Sequence, residues 1–381
     1  MNRSQSRRRF VQQAGLVGIG AAISAASPAW LFAAEEELIP FTDVPADFTT
    51  KAGDVVTRMD LRELKSWLTP TDQYFTIQHY NIPKLDASAW RLESAGLIGR
   101  TETLTLDELK KRPRIERTVF FECSGNRSMG MHGLLGNSTW AGASLADVLR
   151  DLKPSDEARE VIFWAADQGE ETIRNEKYPM HFARSMSLDD AMKSGAILAY
   201  EMNGQPLPVG HGFPVRLIVP GWYGVANVKW LDRIELSDTR FANRFMGRDY
   251  VTLMGRQVGD HVEYAETWVA RQHVKSVIAR VTRTANGRAK VFGAAWTGGS
   301  PLERVEVRVD NGSWQRAKLD AQSNPYAWTF FTVDVDALAP GEHKLVSRAT
   351  DRAGHTQPVS LDLKKTRWED NALFTRTIRV S

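Results

Sequence analysis

The chain contains a single cysteine, Cys123, among its 381 residues. One thiol excludes an intramolecular disulfide framework. It also excludes an iron–sulfur cluster held by several cysteines of this chain, and no Cys-x-x-Cys-His motif for haem attachment is present. No G-x-G-x-x-G follows a strand-like run, so the dinucleotide-binding fingerprint is missing as well.

An excess of charge of one sign is also missing. The formal net charge is +3, and the lysines and arginines are dispersed along the chain, which argues against nucleic acid as a partner. Apolar residues make up 42% and charged residues 25% of the chain, the balance of an ordinary globular protein. The length leaves room for two domains and a short targeting segment.

The N-terminal segment has the pattern of an export signal. The basic stretch Ser6–Val11 precedes an apolar run from Ala14 to Ala26, and the small pair Ala33-Ala34 follows. Paired arginines before Phe10 are typical of a twin-arginine signal. The apolar run is shorter than the roughly 20 residues of a membrane span. We predict that residues 1–34 are a signal peptide, that the mature chain has no membrane span, and that the protein is exported folded to the periplasm. An uncleaved anchor or a basic surface helix is the alternative.

Residues 35–265 mix short helices with short strands, which predicts an α+β domain. Thr105-Leu106-Asp107-Glu108 is a capping box, and Ser144 and Ser187 are further helix N-caps. Strands are predicted over 161–165, 197–202, 215–219 and 228–236, with a tight turn at Asn203-Gly204.

Residues 270–381 alternate apolar and polar side chains with period two, which indicates strands. Predicted strands cover 277–282, 289–296, 304–309, 314–319, 328–335 and 344–350, and Asn286-Gly287 and Asn311-Gly312 are hairpin turns. Short strands at this spacing predict an all-β, immunoglobulin-like sandwich.

Cys123 follows the apolar run Val119–Phe121, which reads as a buried strand, and it opens a turn of small residues. A lone cysteine is commonly an inert apolar side chain. In an exported protein, however, an unpaired thiol is a liability unless something occupies it. A thiolate held by a soft metal suits this position, because no second cysteine is present to resolve a redox reaction.

Several loops carry groups that suit an anion. His211 and Arg216 flank a turn, and a glycine-containing loop ends at Asn227-Val228-Lys229. Glycines let backbone N–H groups approach an anion, and Arg and Lys supply the positive charge. Taken singly, each also has a structural interpretation: His211 as a hydrogen-bonded loop residue, Arg216 as half of a salt bridge, and Lys229 as a solvated surface group.

The segments Phe121–Arg127 and Thr139–Leu145 resemble those of the sulfite oxidase family of molybdopterin enzymes. Further stretches match the family in the same order, namely Tyr200–Pro208, Gly212–Arg216, Val228–Leu231 and Arg248-Asp249-Tyr250. The resemblance implies a molybdopterin-binding catalytic domain over residues 35–265. It also implies that residues 270–381 are a dimerisation domain, and hence a homodimer.

The same resemblance implies roles for individual residues. Cys123 would bind molybdenum, and Tyr250 and Arg127 would orient the substrate. The pterin dithiolene and its phosphate would be held by Thr76, His79, Asp167, His211, Arg216, Asn227, Val228 and Lys229. One molybdenum–molybdopterin per chain is expected, with no haem.

The chain departs from the family where sulfite is bound. Ile77 stands where an arginine is expected, Ser128 replaces a second arginine, and Leu134-Leu135-Gly136 occupies the region of a pocket tryptophan. A tetrahedral oxyanion favours forked donors. These departures favour either other basic residues, such as Arg367, or a less charged sulfur substrate.

From this resemblance we predict a molybdenum-dependent oxidoreductase that converts sulfite to sulfate by oxo transfer and passes electrons to a separate c-type cytochrome. The alternatives are a sulfane-sulfur dehydrogenase of a thiosulfate-oxidising complex and a homologue acting on a less charged substrate. A cofactor-binding protein without turnover fits Ile77 and Ser128. A structural adhesion protein explains the sandwich but not the loops around Cys123 and Lys229.

Overall fold

The computed structural model describes residues 36–46, 48–52, 56–127, 131–321, 324–362 and 366–381. The predicted signal peptide over 1–34 and the departure at Ser128 lie outside these residues. The described chain forms an α+β unit followed by a β sandwich, as the sequence predicts. In the described part of the chain, no helix has the length and apolar character needed to cross a bilayer.

The described residues of the first unit form three short α-helices and most of the strands. The helices are α1 (Leu106–Lys111), α2 (Leu145–Asp151) and α3 (Leu188–Lys193). The strands, after an initial β1 (Glu37–Ile39), are β2 (Lys51–Ala52), β3 (Val56–Thr57), β4 (Thr76–Ile77), β5 (Arg91–Gly96), β6 (Thr103–Thr105), β7 (Ile115–Glu122), β8 (Leu135–Ser144), β9 (Glu160–Ile173), β10 (Glu176–Ser187), β11 (Ile197–Met202), β12 (Gln205–Pro206), β13 (Arg216–Ile218), β14 (Leu231–Ser237), β15 (Val251–Val258) and β16 (His261–Trp268).

All three predicted helix N-caps are confirmed. The hydroxyls of Thr105, Ser144 and Ser187 each accept the backbone N–H three residues further along the chain. At Thr105 the Glu108 carboxylate also accepts the cap's own N–H, which completes the capping box. These are local interactions, and so the sequence is sufficient to place them.

Two sheets build the body of the first unit. One has the strand order β10-β9-β14-β5-β6, and the other has the order β12-β11-β8-β7 with β13 also paired to β11. Cys123 directly follows β7, whose inner residues are buried. The strand predicted over 228–236 begins only at Leu231, because Trp230 takes a positive φ of 50°. The strand predicted over 161–165 is part of the longer β9–β10 hairpin.

The second unit is a sandwich of two sheets. Its strands are β17 (Lys275–Arg283), β18 (Ala289–Trp296), β19 (Leu302–Val309), β20 (Gln315–Arg316), β21 (Lys318–Leu319), β22 (Thr329–Val335), β23 (Gly341–Asp351) and β24 (Thr375–Val380). One sheet has the order β1-β17-β18-β22-β21, and the other has the order β20-β19-β23-β24. The strand predicted over 314–319 is therefore two short strands, and β24 was not predicted.

The two units share an apolar core next to Cys123. Phe120 of β7 packs on Trp296 and Trp328, with ring centroids 4.6 and 5.5 Å apart. Leu135 of the first unit and Phe330 of the sandwich belong to the same buried cluster. Burial of aromatic surface on this scale stabilises a fixed arrangement of the two units. The strand that leads into Cys123 is thus anchored in the sandwich.

Candidate functional site

Cys123 lines a pocket with about 650 Å³ of space not filled by atoms, part of which is open to solvent. Nine of the residues predicted for the site line it together: Thr76, His79, Cys123, Asp167, His211, Arg216, Asn227, Lys229 and Tyr250. They come from strands, turns and loops that are far apart in the sequence, and the fold brings them to one cavity.

Cys123 is 7% exposed and is a free thiol. Its backbone N–H donates to Leu134 at 2.9 Å, and its carbonyl accepts the N–H of Asn126 at 2.9 Å, which closes a turn. Burial raises the pKa of the thiol to about 11, and the N–H of Gly125 opposes this rise. The thiol therefore needs a strong positive charge beside it to ionise, and a bound metal ion supplies one.

Arg216 forms the cationic part of the pocket wall. Its guanidinium donates to the carbonyls of His211 at 3.0 Å and Asn227 at 2.8 Å, and it lies 4.9 Å above the ring of Trp140. In the part of the chain that the structure describes, its Nε is buried without a hydrogen-bond partner. No carboxylate pairs with this guanidinium among the described residues, so the salt-bridge interpretation is wrong.

Lys229 adds a second cation. Its ammonium donates to the carbonyls of Ile77 at 3.2 Å and Gly210 at 3.1 Å, and it lies 4.3 Å from the ring of Trp230. These contacts are not those of a solvated surface lysine. Burial lowers the pKa of Lys229 to about 7, and the charge of Arg216 adds to this effect. An anion bound here would favour the charged form of the lysine.

The amide of Asn227 fixes the loop that carries Lys229. Its oxygen accepts the N–H of Val219 at 2.7 Å, and its nitrogen donates to the carbonyl of Tyr223 at 3.0 Å. His211 is 6% exposed, and burial lowers its pKa to about 3, helped by the charge of Arg216. The histidine is therefore neutral at physiological pH and is available as a hydrogen-bonding group.

Asp167 supplies an acceptor in the same pocket. The residue is 3% exposed, and its Oδ1 is buried without a hydrogen-bond partner among the described residues. Burial raises the pKa of its carboxyl to about 7, while the charge of Lys229 opposes the shift. A buried acceptor without a donor carries a cost unless a ligand donates to it. A ligand with N–H groups would meet this requirement.

Tyr250 and His79 form a pair on another part of the lining. The phenol oxygen lies 2.5 Å from Nε2 of His79. His79 is exposed toward the pocket, and the ring of Phe182 stacks on its imidazole with ring centroids 5.2 Å apart. Burial lowers the pKa of His79 to about 4, with the charge of Arg244 adding to the effect, and burial raises that of Tyr250. At neutral pH the pair is therefore an uncharged imidazole and an intact phenol.

Tyr250 takes a left-handed backbone conformation, with φ of 58°. Such a conformation is strained for an aromatic residue and persists when the surroundings fix it. Arg184, a buried residue of β10, donates to the carbonyl of Phe245 and, at 2.6 Å, to that of Val269. The carbonyl of Tyr250 in turn accepts the N–H of Val269 at 2.8 Å. No sequence motif marks Arg184, so this support was not predicted.

Two predicted residues do not line the cavity. Val228 is buried, and its carbonyl accepts the N–H of Leu217 at 2.8 Å, so it contributes to the wall behind the pocket. Arg127 is half-buried, and its carbonyl accepts the N–H of His132 at 3.2 Å. One of its guanidinium nitrogens is buried and has no hydrogen-bond partner within the described ranges. The substrate-binding role of Arg127 remains a prediction.

Ile77 lines the pocket, at the position where the resemblance leads one to expect an arginine. Arg367 is exposed, whereas its neighbour Trp368 stacks on Tyr250. The C-terminal stretch therefore presents an indole at the site. Trp368 was not predicted, since nothing in its flanking residues marks it as a neighbour of Tyr250.

The residues present fit a molybdenum–pterin group. The free thiol of Cys123 is a soft ligand for the metal. The unpaired oxygen of Asp167 suits pterin N–H donors, and the cations of Lys229 and Arg216 suit a phosphate. This donor set, with one thiolate and an otherwise polar organic-binding wall, does not resemble a multi-cysteine metal centre.

Two family models match the chain. The model described as "Oxidoreductase molybdopterin binding domain" matches residues 79–245, and the one described as "Mo-co oxidoreductase dimerisation domain" matches residues 266–379. The pocket residues Cys123, Asp167 and Lys229 lie within the first match. The sandwich corresponds to the second match.

Curated relatives include mitochondrial sulfite oxidase from Rattus norvegicus, 32% identical over 320 residues, which are 77% of this chain and 58% of that protein. The chain thus spans little more than half of that relative. Sulfite oxidase from Gallus gallus is 34% identical over 325 residues, which cover 77% of this chain and 69% of the relative. A nitrate reductase from Hordeum vulgare is 32% identical over 77% of this chain and 37% of its own length.

Among solved structures, the sulfane dehydrogenase SoxCD from Paracoccus pantotrophus has a TM-score of 0.74 at 24% identity, over 96% of each chain. This likeness shows a common fold across both units. Two matched domain models in the expected order and an identity of 34% to a relative that is largely covered agree with the geometry around Cys123. The chain belongs to the sulfite oxidase family of molybdopterin oxidoreductases.

Proposed function

We propose that this protein is a molybdenum-dependent oxidoreductase that oxidises an inorganic sulfur compound, with sulfite as the first candidate. The observation that carries the proposal is the free thiol of Cys123 in the same pocket as the cations Arg216 and Lys229 and the unpaired acceptor Asp167. When bound, the molybdenum–pterin group would supply a two-electron acceptor and a source of oxygen for a sulfur lone pair. The net reaction is sulfite plus water to sulfate, two protons and two electrons.

The chain's own residues bind, orient and handle protons. Cys123 would hold the metal through its thiolate, and Arg216 and Lys229 would offset the phosphate charge. Tyr250 presents its hydroxyl to the substrate, and His79 holds that hydroxyl in place at 2.5 Å. The uncharged His79 can accept the phenol proton in this hydrogen bond. Tyr250 and His79 therefore orient the substrate without adding net charge near it.

The electrons must leave the chain for an external acceptor. The sequence contains no haem attachment motif and no cysteine cluster, so we propose a separate c-type cytochrome as the acceptor. The match of residues 266–379 to a dimerisation domain supports a homodimer. The N-terminal pattern around Arg7 and Arg8 supports periplasmic export by the twin-arginine route.

One observation favours a second candidate, a sulfane-sulfur dehydrogenase. Ile77 lines the pocket in place of a cation, and Arg127 is not part of the lining. Loss of a cation beside a buried oxyanion costs about 2–5 kcal/mol of binding when nothing replaces it. A sulfur substrate with less charge, such as a carrier-bound sulfane, avoids this cost. The same observation fits a cofactor-binding protein without turnover.

Metal analysis of the full chain, produced in a host that makes the cofactor, tests the proposal. We expect about one molybdenum per chain and loss of the metal on Cys123→Ser, with the melting temperature reporting on folding. Val359→Ala is a neutral control, since this side chain is 81% exposed. Wild-type protein that folds but carries no molybdenum would refute the proposal. Steady-state oxidation with an artificial acceptor then separates sulfite from sulfane substrates, and a loaded enzyme that oxidises neither is the cofactor-binding protein.

A further inference from the structure

The turn formed by residues Cys123–Asn126, called the Cys123 turn below, is held by the sandwich from several sides. Gln272 accepts the N–H of Glu122 at 3.2 Å and donates to the carbonyl of Phe120 at 3.2 Å. On the other side of the cysteine, the N–H of Glu369 donates to the carbonyl of Ser124 at 2.8 Å. The residues immediately before and after Cys123 are therefore both tied to the second unit.

The central contact is a buried ion pair. The Lys275 ammonium lies 3.1 Å from Oε2 of Glu122, and both side chains are 1% exposed. The same carboxylate accepts the indole N–H of Trp296 at 3.1 Å and the amide N–H of Asn126 at 2.9 Å. Every oxygen of this carboxylate is thus satisfied, as a buried charge requires.

The ion pair is connected to both sides of the turn. Lys275 also donates to the backbone carbonyl of Asn126 at 3.4 Å. The Asn126 side chain donates to the carbonyl of His132 at 3.1 Å and accepts the N–H of Leu134 at 3.0 Å. The N–H of Cys123 donates to the carbonyl of the same Leu134. One continuous hydrogen-bonded network therefore runs from Lys275 in β17 to the backbone of Cys123.

A buried ion pair is weak evidence for stability, since its desolvation cost can match its attraction. Retaining one makes sense where it fixes one conformation among several. Here the pair lies between two units and next to a turn that contains Gly125, a residue that restricts the backbone little. An apolar pair of the same volume would fill the space without directing the Cys123 turn.

We propose that Lys275 is a positioning residue, which acts through Glu122 and Asn126 to hold the Cys123 thiol in the orientation that receives the metal. The inference rests on the proposed function for the metal, but its geometric part concerns the thiol alone. It gives the second unit a role in assembling the site in addition to dimerisation. The role is assigned to the lysine because it joins the carboxylate to the far end of the turn.

The test uses Lys275→Met in the full chain with two readouts. The first is molybdenum per chain in protein from a cofactor-producing host. The second is the rate at which iodoacetamide alkylates Cys123 in protein from a host that lacks the cofactor. We expect the metal content to fall about threefold or more and alkylation to speed up about tenfold, because the released turn opens locally. Lys275→Arg keeps the positive charge and restores most of both values.

Lys290→Met is the matched control. Lys290 lies in the same sheet and pairs with Glu36, away from the Cys123 turn, so its loss tests whether removing any cation from the sandwich has the same effect. If Lys275→Met fails to fold, the double variant Glu122→Gln/Lys275→Met also removes the carboxylate that the single variant leaves unpaired. The metal content and the alkylation rate of the double variant then decide the role of Lys275. Wild-type metal content and alkylation rate in the folded variant would overturn the proposal. Absence of molybdenum from the wild type would refute the proposed function, while the alkylation readout would still decide the role of Lys275.

Discussion

Trp368 of the C-terminal stretch stacks on Tyr250 of the first unit, with ring centroids 4.3 Å apart and planes inclined by 28°. The indole edge also lies 3.3 Å from the position that a side chain at Gly125 would occupy. Trp368 therefore touches both the Cys123 turn and Tyr250, the residue predicted to orient the substrate. A Cβ at position 125 would require this ring to shift by a few tenths of an ångström.

Replacing Trp368 by alanine should loosen Tyr250. Stacked aromatic pairs contribute about 0.5–1.5 kcal/mol beyond burial, and a misplaced orienting group lowers the rate. We expect kcat/KM to fall about tenfold for the substrate that turns over, with molybdenum content unchanged. Steady-state kinetics alongside metal analysis give this comparison. Trp368→Phe keeps a ring on Tyr250 and should stay near the wild-type rate, and equal loss in both variants would contradict the stacking role.

Replacing Lys229 by methionine should weaken cofactor retention. The variant keeps the apolar stem of the side chain but removes the ammonium beside Arg216. Truncating one partner of a buried charge pair costs about 2–5 kcal/mol, so dissociation of the pterin should be at least about tenfold faster. The loss of molybdenum during dialysis measures this rate. Lys177→Met is the control, because that side chain is 69% exposed, and equal retention in the two variants would argue against a phosphate at Lys229.

His211 should make the cofactor-free chain sensitive to acid. Its folded pKa is about 3, against the ordinary value of 6.5. Between these values the unfolded state binds a proton that the folded state excludes, so stability is complete above pH 6.5 and falls as the pH drops toward 3. The slope from this residue is at most about 1.4 kcal/mol per pH unit. Urea unfolding at several pH values should show a shallower acid slope in His211→Gln.

The exposed His355 provides the control for that experiment, since its side chain is 73% exposed. An unchanged slope in His211→Gln would mean that His211 is not the group whose protonation destabilises the fold.

Gly142 of β8 should not tolerate a side chain. A Cβ there would lie 2.0 Å from the carbonyl oxygen of Leu198 in the neighbouring strand β11, so the strands would have to separate. Overpacking costs about 1–3 kcal/mol, and here the contact is with backbone, which cannot rotate away. Thermal unfolding of Gly142→Ala should show a marked drop. At Gly247 the nearest atoms are 3.8 Å away, so Gly247→Ala should change the melting temperature far less.

Local chemistry made part of this structure predictable. The caps at Thr105, Ser144 and Ser187 use partners within three residues, and the strand 197–202 was placed at its observed bounds. The position of Cys123 at a strand end also follows from its neighbours in sequence. The Thr139–Leu145 motif gains a physical reason from Gly142, whose close strand contact explains the glycine.

Contacts between residues far apart in the chain could not be predicted from the sequence. Lys275 meets Glu122 across 153 positions, and Trp368 meets Tyr250 through the packing of two units. Neither Lys275 nor Trp368 lies in a local pattern that distinguishes it from an ordinary strand or loop residue. The strand β14 was predicted too long because Trp230 adopts a conformation that propensity does not reveal.

The strand β1 pairs with β17, so that Ile39 lies opposite Val281. During synthesis this first strand has no partner until most of the polypeptide has emerged from the ribosome. Pairings between such distant residues form slowly, because a large loop must close first. The completed sandwich edge is therefore a late folding event. A protease directed at the residues around Ile39 should distinguish finished molecules from nascent ones.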